Sequence, residues 1–214
     1  MFYCDSGAFF FSSVKPLIDS MGDCDVWVSN ISFIEQQWTK PQVFELLGIT
    51  DESIKTSPQI QGGFVLCRKS ERSVSLIREW LSMCVRPELI KPLEPEEPHG
   101  ECIEHREDQS MLSVLCKLRG ITPHKSPAIL PKPRPILRRI KLLVKKLIGR
   151  ETHPNKSWAG AIHPELIHND TYSPCIYHHR IRKARSMSSV ALQTLKGLGI
   201  SGTIRIFRAS RKDE

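Results

Sequence analysis

Nowhere in the 214 residues does an apolar run reach the roughly 20 positions needed to cross a bilayer, so no transmembrane helix is expected. The first residues lack the basic opening of a signal peptide, and Asp5 interrupts their apolar stretch. Cysteine occurs seven times but never as a CxxC pair, which excludes a zinc ribbon; the scattered, odd count gives no disulfide framework either. Most of these thiols are expected to be buried. Asparagine is scarce: Asn30, Asn155 and Asn169 are the only ones, and each opens an N-x-S/T sequon, a hint of a secretory lumen beside the alternative of a membrane-peripheral cytoplasmic protein. Acids are absent from residues 132–150, which carry eight Lys and Arg. Taking those eight from the chain's 31 leaves 23 basic residues against 23 acidic ones, so the net charge of +8 is local. A surface coated to bind nucleic acid is therefore not expected. The basic stretch also lacks interleaved aromatics, and no nucleic-acid motif or internal repeat occurs.

What is present is a globular composition, 40% hydrophobic and 25% charged. An apolar strand over residues 1–4 runs into Asp5-Ser6-Gly7. Ser12 or Ser13 can cap a short helix through Met21, with Pro16 in its first turn. Residues 25–29 alternate like a strand. Thr39 is placed to cap a helix that Pro41 opens and Gly48 stops. Residues 59–68 (QIQGGFVLCR) read as one strand with a glycine pair at its entry. Ser70 then opens an amphipathic helix with Val74, Ile77, Trp80, Leu81 and Cys84 on one face. A proline-rich loop fills 89–100, a helix runs from Asp108 to Leu118 and ends at Gly120, and a second proline-spaced linker covers 123–135. Residues 136–148 form a helical stripe of Ile, Leu and Val among basic side chains, and residues 175–178 form a last strand. Strands alternating with helices predict an α/β domain over 1–180, with a mostly parallel sheet and a basic tail over 181–214. In such sheets ligands meet the carboxyl ends of strands.

Four places carry possible chemistry, each with a plain structural counterpart. Asp5 ends a strand, as a turn residue or as a carboxylate that could hold a divalent cation with His178 or His179 and diphosphate oxygens. Asp108 and Gln109 open a helix as cap and dipole partner, or offer acceptors to sugar hydroxyls beside the donors of His105 and Arg106. Gln61-Gly62-Gly63 marks a bulge or a close backbone approach; if the approaching object is a ligand, Gln61 can reach it. The basic stripe over 136–148 is a core-packed helix with a solvated face, or a surface helix for anionic lipid.

Taken in chain order, "FYCDSG", "IQGGFVLCRKS", "REDQSMLSVL" and "IYHHR" resemble the motif order of GT-A-type nucleotide-diphospho-sugar glycosyltransferases, retaining members above all, over about residues 1–180. The segments "QQWTKPQVFELLG" and "SLIREWLSMC" resemble the same family. The resemblance implies a GT-A-like (Rossmann-like) mixed sheet flanked by helices, and a fragment lacking the N-terminal nucleotide-binding strands that precede the Asp turn in the family. It implies a Mn²⁺ or Mg²⁺ ion held by Asp5 with His178 or His179. Gly7 stands where a second aspartate is frequent. It further implies a sugar or acceptor pocket lined by Gln61, Gly62, Gly63 and Arg106, with Asp108 and Gln109 at the anomeric carbon. The implied partners are a nucleotide-sugar donor and a glycan, lipid-linked or protein acceptor. The alternative is a non-catalytic glycosyltransferase-like module bound to a partner, or to an anionic membrane through residues 136–148.

Overall fold

The computed structural model describes residues 1–5, 7–129 and 172–178. The basic stripe 136–148, His179, Asn155, Asn169 and the tail 181–214 lie outside the described residues. From the N-terminus the elements are β1 (Phe2–Cys4), β2 (Ala8–Phe10), α1 (Lys15–Ser20), β3 (Val26–Trp27), β4 (Ser29–Ile34), α2 (Glu35–Trp38), α3 (Pro41–Leu46) and α4 (Glu52–Thr56). They continue with β5 (Pro58–Ile60), β6 (Phe64–Cys67), α5 (Glu71–Cys84), α6 (Pro87–Ile90), α7 (Glu107–Leu118), β7 (His124–Lys125), β8 (Ala128–Ile129) and β9 (Ile176–His178). These fall into two compact units, whose described parts are residues 1–4 with 21–126, and residue 5 with 7–20, 127–129 and 172–178.

The larger unit holds two three-stranded sheets, in the orders β1-β6-β3 and β5-β4-β7. Their helical neighbour is α7, which packs against β5, α5, α6 and α2. Seven successive α7 residues, Ser110 to Cys116, are buried, so this helix is enclosed on all sides rather than amphipathic at a surface. Met111, Leu112 and Leu115 fill its apolar contacts, joining Val28, Val43, Ile60, Leu76 and Leu89 in one core. Cutting Leu112 or Leu115 back to alanine would cost about 2–5 kcal/mol. Ser110 and Ser113 are small enough to let β5 approach, and their hydroxyls find partners in α2 and β5. The Ile60 N–H donates to Ser113 Oγ at 2.8 Å, and Ser110 Oγ donates to the Trp38 carbonyl at 2.9 Å. Gly120 takes a positive φ of 63° and ends α7, with the Ile121 N–H returning to the Cys116 carbonyl at 2.9 Å.

The smaller unit has one sheet, β2-β9-β8, in which Ala8 stands opposite His178. Its helix α1 starts as the sequence predicts: the Lys15 N–H donates to Ser13 Oγ at 3.1 Å.

Mixed sheets flanked by helices match the predicted class, but the mostly parallel expectation does not hold. Four of the six described strand pairings are antiparallel, and only β4 with β7 and β8 with β9 run parallel. The strand expected over 59–68 is two strands in two different sheets, broken at Gln61-Gly62-Gly63. Thr39 does not cap α3. Its hydroxyl donates instead to the Glu35 carboxylate at 2.6 Å, and Lys40 holds the cap position without a side-chain bond. Ser70 does cap α5, through a reciprocal box with Ser73. The buried face of α5 is turned from the expected one, however. Leu76 and Met83 are buried and join Ile77, Trp80 and Cys84 at the core, whereas Leu81 is exposed.

Among the described residues no helix is long and apolar enough to cross a membrane. Asn30 is only 6% exposed within β4, so the folded sheet leaves no room for a glycan at that sequon. Cys67, Cys102, Cys116 and Cys175 are buried free thiols, as expected.

Candidate functional site

The break between β5 and β6 and the start of α7 meet in the larger unit. Gln109, in the first turn of α7, donates through Nε2 to Gln59 Oε1 at 2.7 Å and accepts at Oε1 from the Gly62 N–H at 3.3 Å. A Cβ added to Gly62 would stand 3.2 Å from Gln109 Cβ and 3.4 Å from its Cα. The glycine therefore permits a close approach, and the object approached is α7 itself. Gln61 is 7% exposed; its N–H donates to the Ser29 carbonyl at 2.8 Å, and its Oε1 accepts from Ser126 Oγ at 3.1 Å. Gly63 is buried beside it.

Behind Gln59 lies a buried polar chain. Glu35 is wholly buried, and its carboxylate accepts from Thr39 Oγ1 at 2.6 Å, Gln59 Nε2 at 3.2 Å, Lys117 Nζ at 2.6 Å and Ser113 Oγ. Because Glu35 takes the Nε2 side of Gln59, the Oε1 side is left to face Gln109. A buried carboxylate is tolerable only when paired and hydrogen-bonded, and Glu35 has both. Burial pulls the Lys117 ammonium down from its ordinary pKa, against the opposing pull of Glu35.

The helix start itself is exposed. The residue ahead of the first turn is Arg106, not Asp108, and it makes no side-chain cap. Its guanidinium lies over the rings of Phe33 and Trp38, with centroids at 5.0 and 4.8 Å. Those two rings are themselves stacked, 4.4 Å apart. Glu107 adopts a φ of +46°, a left-handed conformation that costs a non-glycine residue about 1–2 kcal/mol. This backbone is held from both sides: the Arg106 N–H donates to Ser110 Oγ at 3.2 Å, and Trp80 Nε1 donates to the Asp108 carbonyl at 2.9 Å. The exposed Asp108 carboxylate accepts from the Gln109 N–H at 2.9 Å and sits at the positive end of the α7 dipole. The nearby Cys84 thiol is pushed up by burial first and by the Asp108 charge second, so it stays protonated at neutral pH.

His105, one residue further back, is a core histidine. Its Nε2 donates to the Leu89 carbonyl at 2.8 Å, and its Nδ1 accepts from the Lys40 N–H at 3.4 Å. Burial pulls its pKa down to about 4.

Thus Gln61, Gly62, Gly63, Arg106, Asp108 and Gln109 share one neighbourhood, but the amides of Gln61 and Gln109 are turned into the protein. Of these residues Asp108 is exposed, whereas the stacked Arg106 is partly buried. Asp5 and His178 belong to the smaller unit, where the Asp5 carbonyl closes the turn by accepting from the Ala8 N–H at 3.0 Å. A hard dication needs several oxygen ligands, and among the described residues no three His, Cys, Asp or Glu side chains gather to hold one.

The Glu35–Lys117 pair has only a faint sequence signal: a lone acid inside "SFIEQQW" and a lysine seven positions past Ser110, directly after the buried run 110–116.

No family model, curated protein or solved structure matches the chain.

Proposed function

We propose that the chain is part of a GT-A-type glycosyltransferase, transferring a sugar from a nucleotide-diphosphate donor, with Asp108 as the group that meets the transferred sugar. One observation carries this reading: "IQGG" and "REDQ", two segments through which the sequence resembles that family, meet through the Gly62 N–H bond to Gln109, with Gln59, just ahead of the first, bonded to the same amide. In this reading Gln109 is a positioning residue, because its amide is spent on β5 and on the loop behind it. It fixes the first turn of α7 so that the Asp108 carboxylate can accept from sugar hydroxyls. Holding a carboxylate in place before the donor arrives removes an orientational cost from the reaction. Arg106, kept in place by Phe33 and Trp38, offers guanidinium donors to the same ligand. The reading includes Mn²⁺ or Mg²⁺ on the donor diphosphate, where the ion would offset the charge of the leaving group.

The test is donor hydrolysis or transfer, measured with UDP- and GDP-sugars on the full chain and on Asp108→Asn. Loss of turnover by about 100-fold or more, with an unchanged melting temperature, supports the assignment. Turnover equal to that of the parent removes Asp108 from the chemistry. A non-catalytic partner-binding module is the second reading, favoured by the two site amides that face inward. Absence of turnover together with sedimentation on anionic vesicles would select it.

A further inference from the structure

Residues of α3, of α6 and of the loop after it line an open pocket of about 420 Å³, within the usual range of about 300–1,000 Å³ for small-ligand sites. Lys40, one of its lining residues, is only 2% exposed. Its ammonium carries three donors, yet among the described residues it meets one acceptor, the Lys91 carbonyl at 3.0 Å. Buried charges are normally paired, so this pocket holds a cation with bonding capacity to spare. Its rim has the opposite character. Glu45 and Glu94 are exposed, and among the described residues their carboxylates make no hydrogen bond or ion pair. Glu88 is taken up by Arg86 at 2.8 Å, and Glu97 accepts from the Glu94 N–H at 2.9 Å.

The lining thus sets two cations, Lys40 and Lys91, against four carboxylates, Glu45, Glu88, Glu94 and Glu97. A phosphate or free carboxylate would have to pass a net negative rim to reach Lys40. The anionic end of a zwitterion faces the same barrier. A hydroxyl is neutral and serves both walls, accepting from the ammonium and donating to the glutamates. Leu46 and Pro92 add apolar surface of the kind that the C–H face of a sugar ring covers. We infer that this pocket binds a neutral saccharide, with Lys40 donating to its hydroxyls and Glu45 and Glu94 accepting from them.

The strap from Trp38 to Lys40 links the pocket to the candidate site. The Trp38 carbonyl accepts from the Arg106 N–H at 3.1 Å, and the Lys40 N–H meets His105. In naming the bound saccharide as the acceptor, the inference rests on the glycosyltransferase reading; binding itself does not.

Saturation-transfer NMR on the full chain, with lactose, maltose, mannobiose and chitobiose as probes and glucose 6-phosphate and glycylglycine as controls, tests it. At least one disaccharide should bind in the millimolar range, and the two controls should bind more weakly. Glu45→Gln with Glu94→Gln, both at exposed positions, should weaken that disaccharide about tenfold or more, as should Lys40→Met if its circular dichroism matches the parent. The inference is overturned if none of the four disaccharides binds, if either control binds as tightly, or if the rim double variant leaves affinity unchanged. Asp108→Asn separates the two readings, because it should leave disaccharide binding intact. Binding without donor turnover in the parent sinks the enzyme and keeps the pocket; turnover without disaccharide binding does the reverse.

Discussion

Replacing Lys117 with methionine should destabilise the larger unit more than any surface charge change in the chain. Lys117 Nζ lies 2.6 Å from Glu35 Oε2, with the lysine side chain 11% exposed and the glutamate fully buried. At that distance, and at an effective dielectric of about 20, the attraction is about 6 kcal/mol. The cost of taking both ions out of water offsets most of it. Removing one partner leaves that cost in place without the attraction, and so costs about 3–5 kcal/mol. Lys117→Met should fall at the upper end, because Glu35 cannot turn to water. Glu35→Gln should fall at the lower end, because Lys117 keeps the Ile54 carbonyl at 3.3 Å and some solvent. In the double variant no charge is left buried alone. Its loss should be smaller than the sum of the two single losses by on the order of 2–3 kcal/mol, the size of coupling seen between groups in one buried network. Urea unfolding followed by tryptophan fluorescence reads this directly, since Trp27 and Trp38 are completely buried. Additivity within about 0.5 kcal/mol would show that the two residues do not act as a pair and would refute the reasoning.

Three further outcomes follow from the same geometry. His105 is neutral in both states above its ordinary pKa near 6.5 and contributes no pH dependence there. As pH falls from about 6.5 to about 4, the unfolded chain takes the proton first, and stability drops by about 3 kcal/mol in all. The difference between parent and His105→Gln stability profiles should isolate that drop, and parallel profiles would contradict it. Gly62→Ala should cost about 1–3 kcal/mol by overpacking against Gln109, measured by thermal unfolding; a neutral result would mean that the start of α7 gives way. Ser70→Ala should cost about 1 kcal/mol through loss of the capping box, whereas Ser82→Ala, whose hydroxyl only reaches back to the exposed Glu79 carbonyl, should stay within about 0.5 kcal/mol.

Local chemistry made four of the seven described helices readable, α1, α3, α5 and α7, but not the short α2, α4 and α6. Ser13, Ser70, Pro41, Gly48 and Gly120 act on the few residues around them, and the backbone obeys them nearly everywhere. Sheet direction is a different kind of information. Strands of two to six residues carry too little pattern to reveal their partners, and pairing is set by which buried faces meet. So β1 and β3 flank β6 antiparallel, where alternation of strand and helix implied parallel neighbours. The segment over 59–68 shows the limit most clearly. It reads as a single strand in sequence, but Ile60 serves one sheet and Phe64 the other, and three residues between them make the crossing.

The candidate site was legible as a set of residues and illegible as a set of directions. A glutamine at position 61 or 109 offers the same donor and acceptor whether it points at a ligand or at a strand. What decides is the demand on each side. Gln59 has its Nε2 claimed by Glu35, so its Oε1 needs a donor, and the amide of Gln109 is the group that α7 supplies. Once Gln109 is committed there, a side chain at Gly62 is disfavoured, because its Cβ would meet Gln109 at 3.2 Å, tighter than ordinary contact. The glycine that the sequence offers as room for a ligand is thus the consequence of a buried glutamate three contacts away. Asp108 escapes this chain of demands. Its carboxylate needs nothing from the core and faces solvent, while its neighbours Arg106 and Gln109 are pinned by aromatic rings and by β5. If Asp108 meets a ligand as proposed, it does so from a turn that the hydrogen bonds from Glu35 through Gln59 to Gln109 tie to β5.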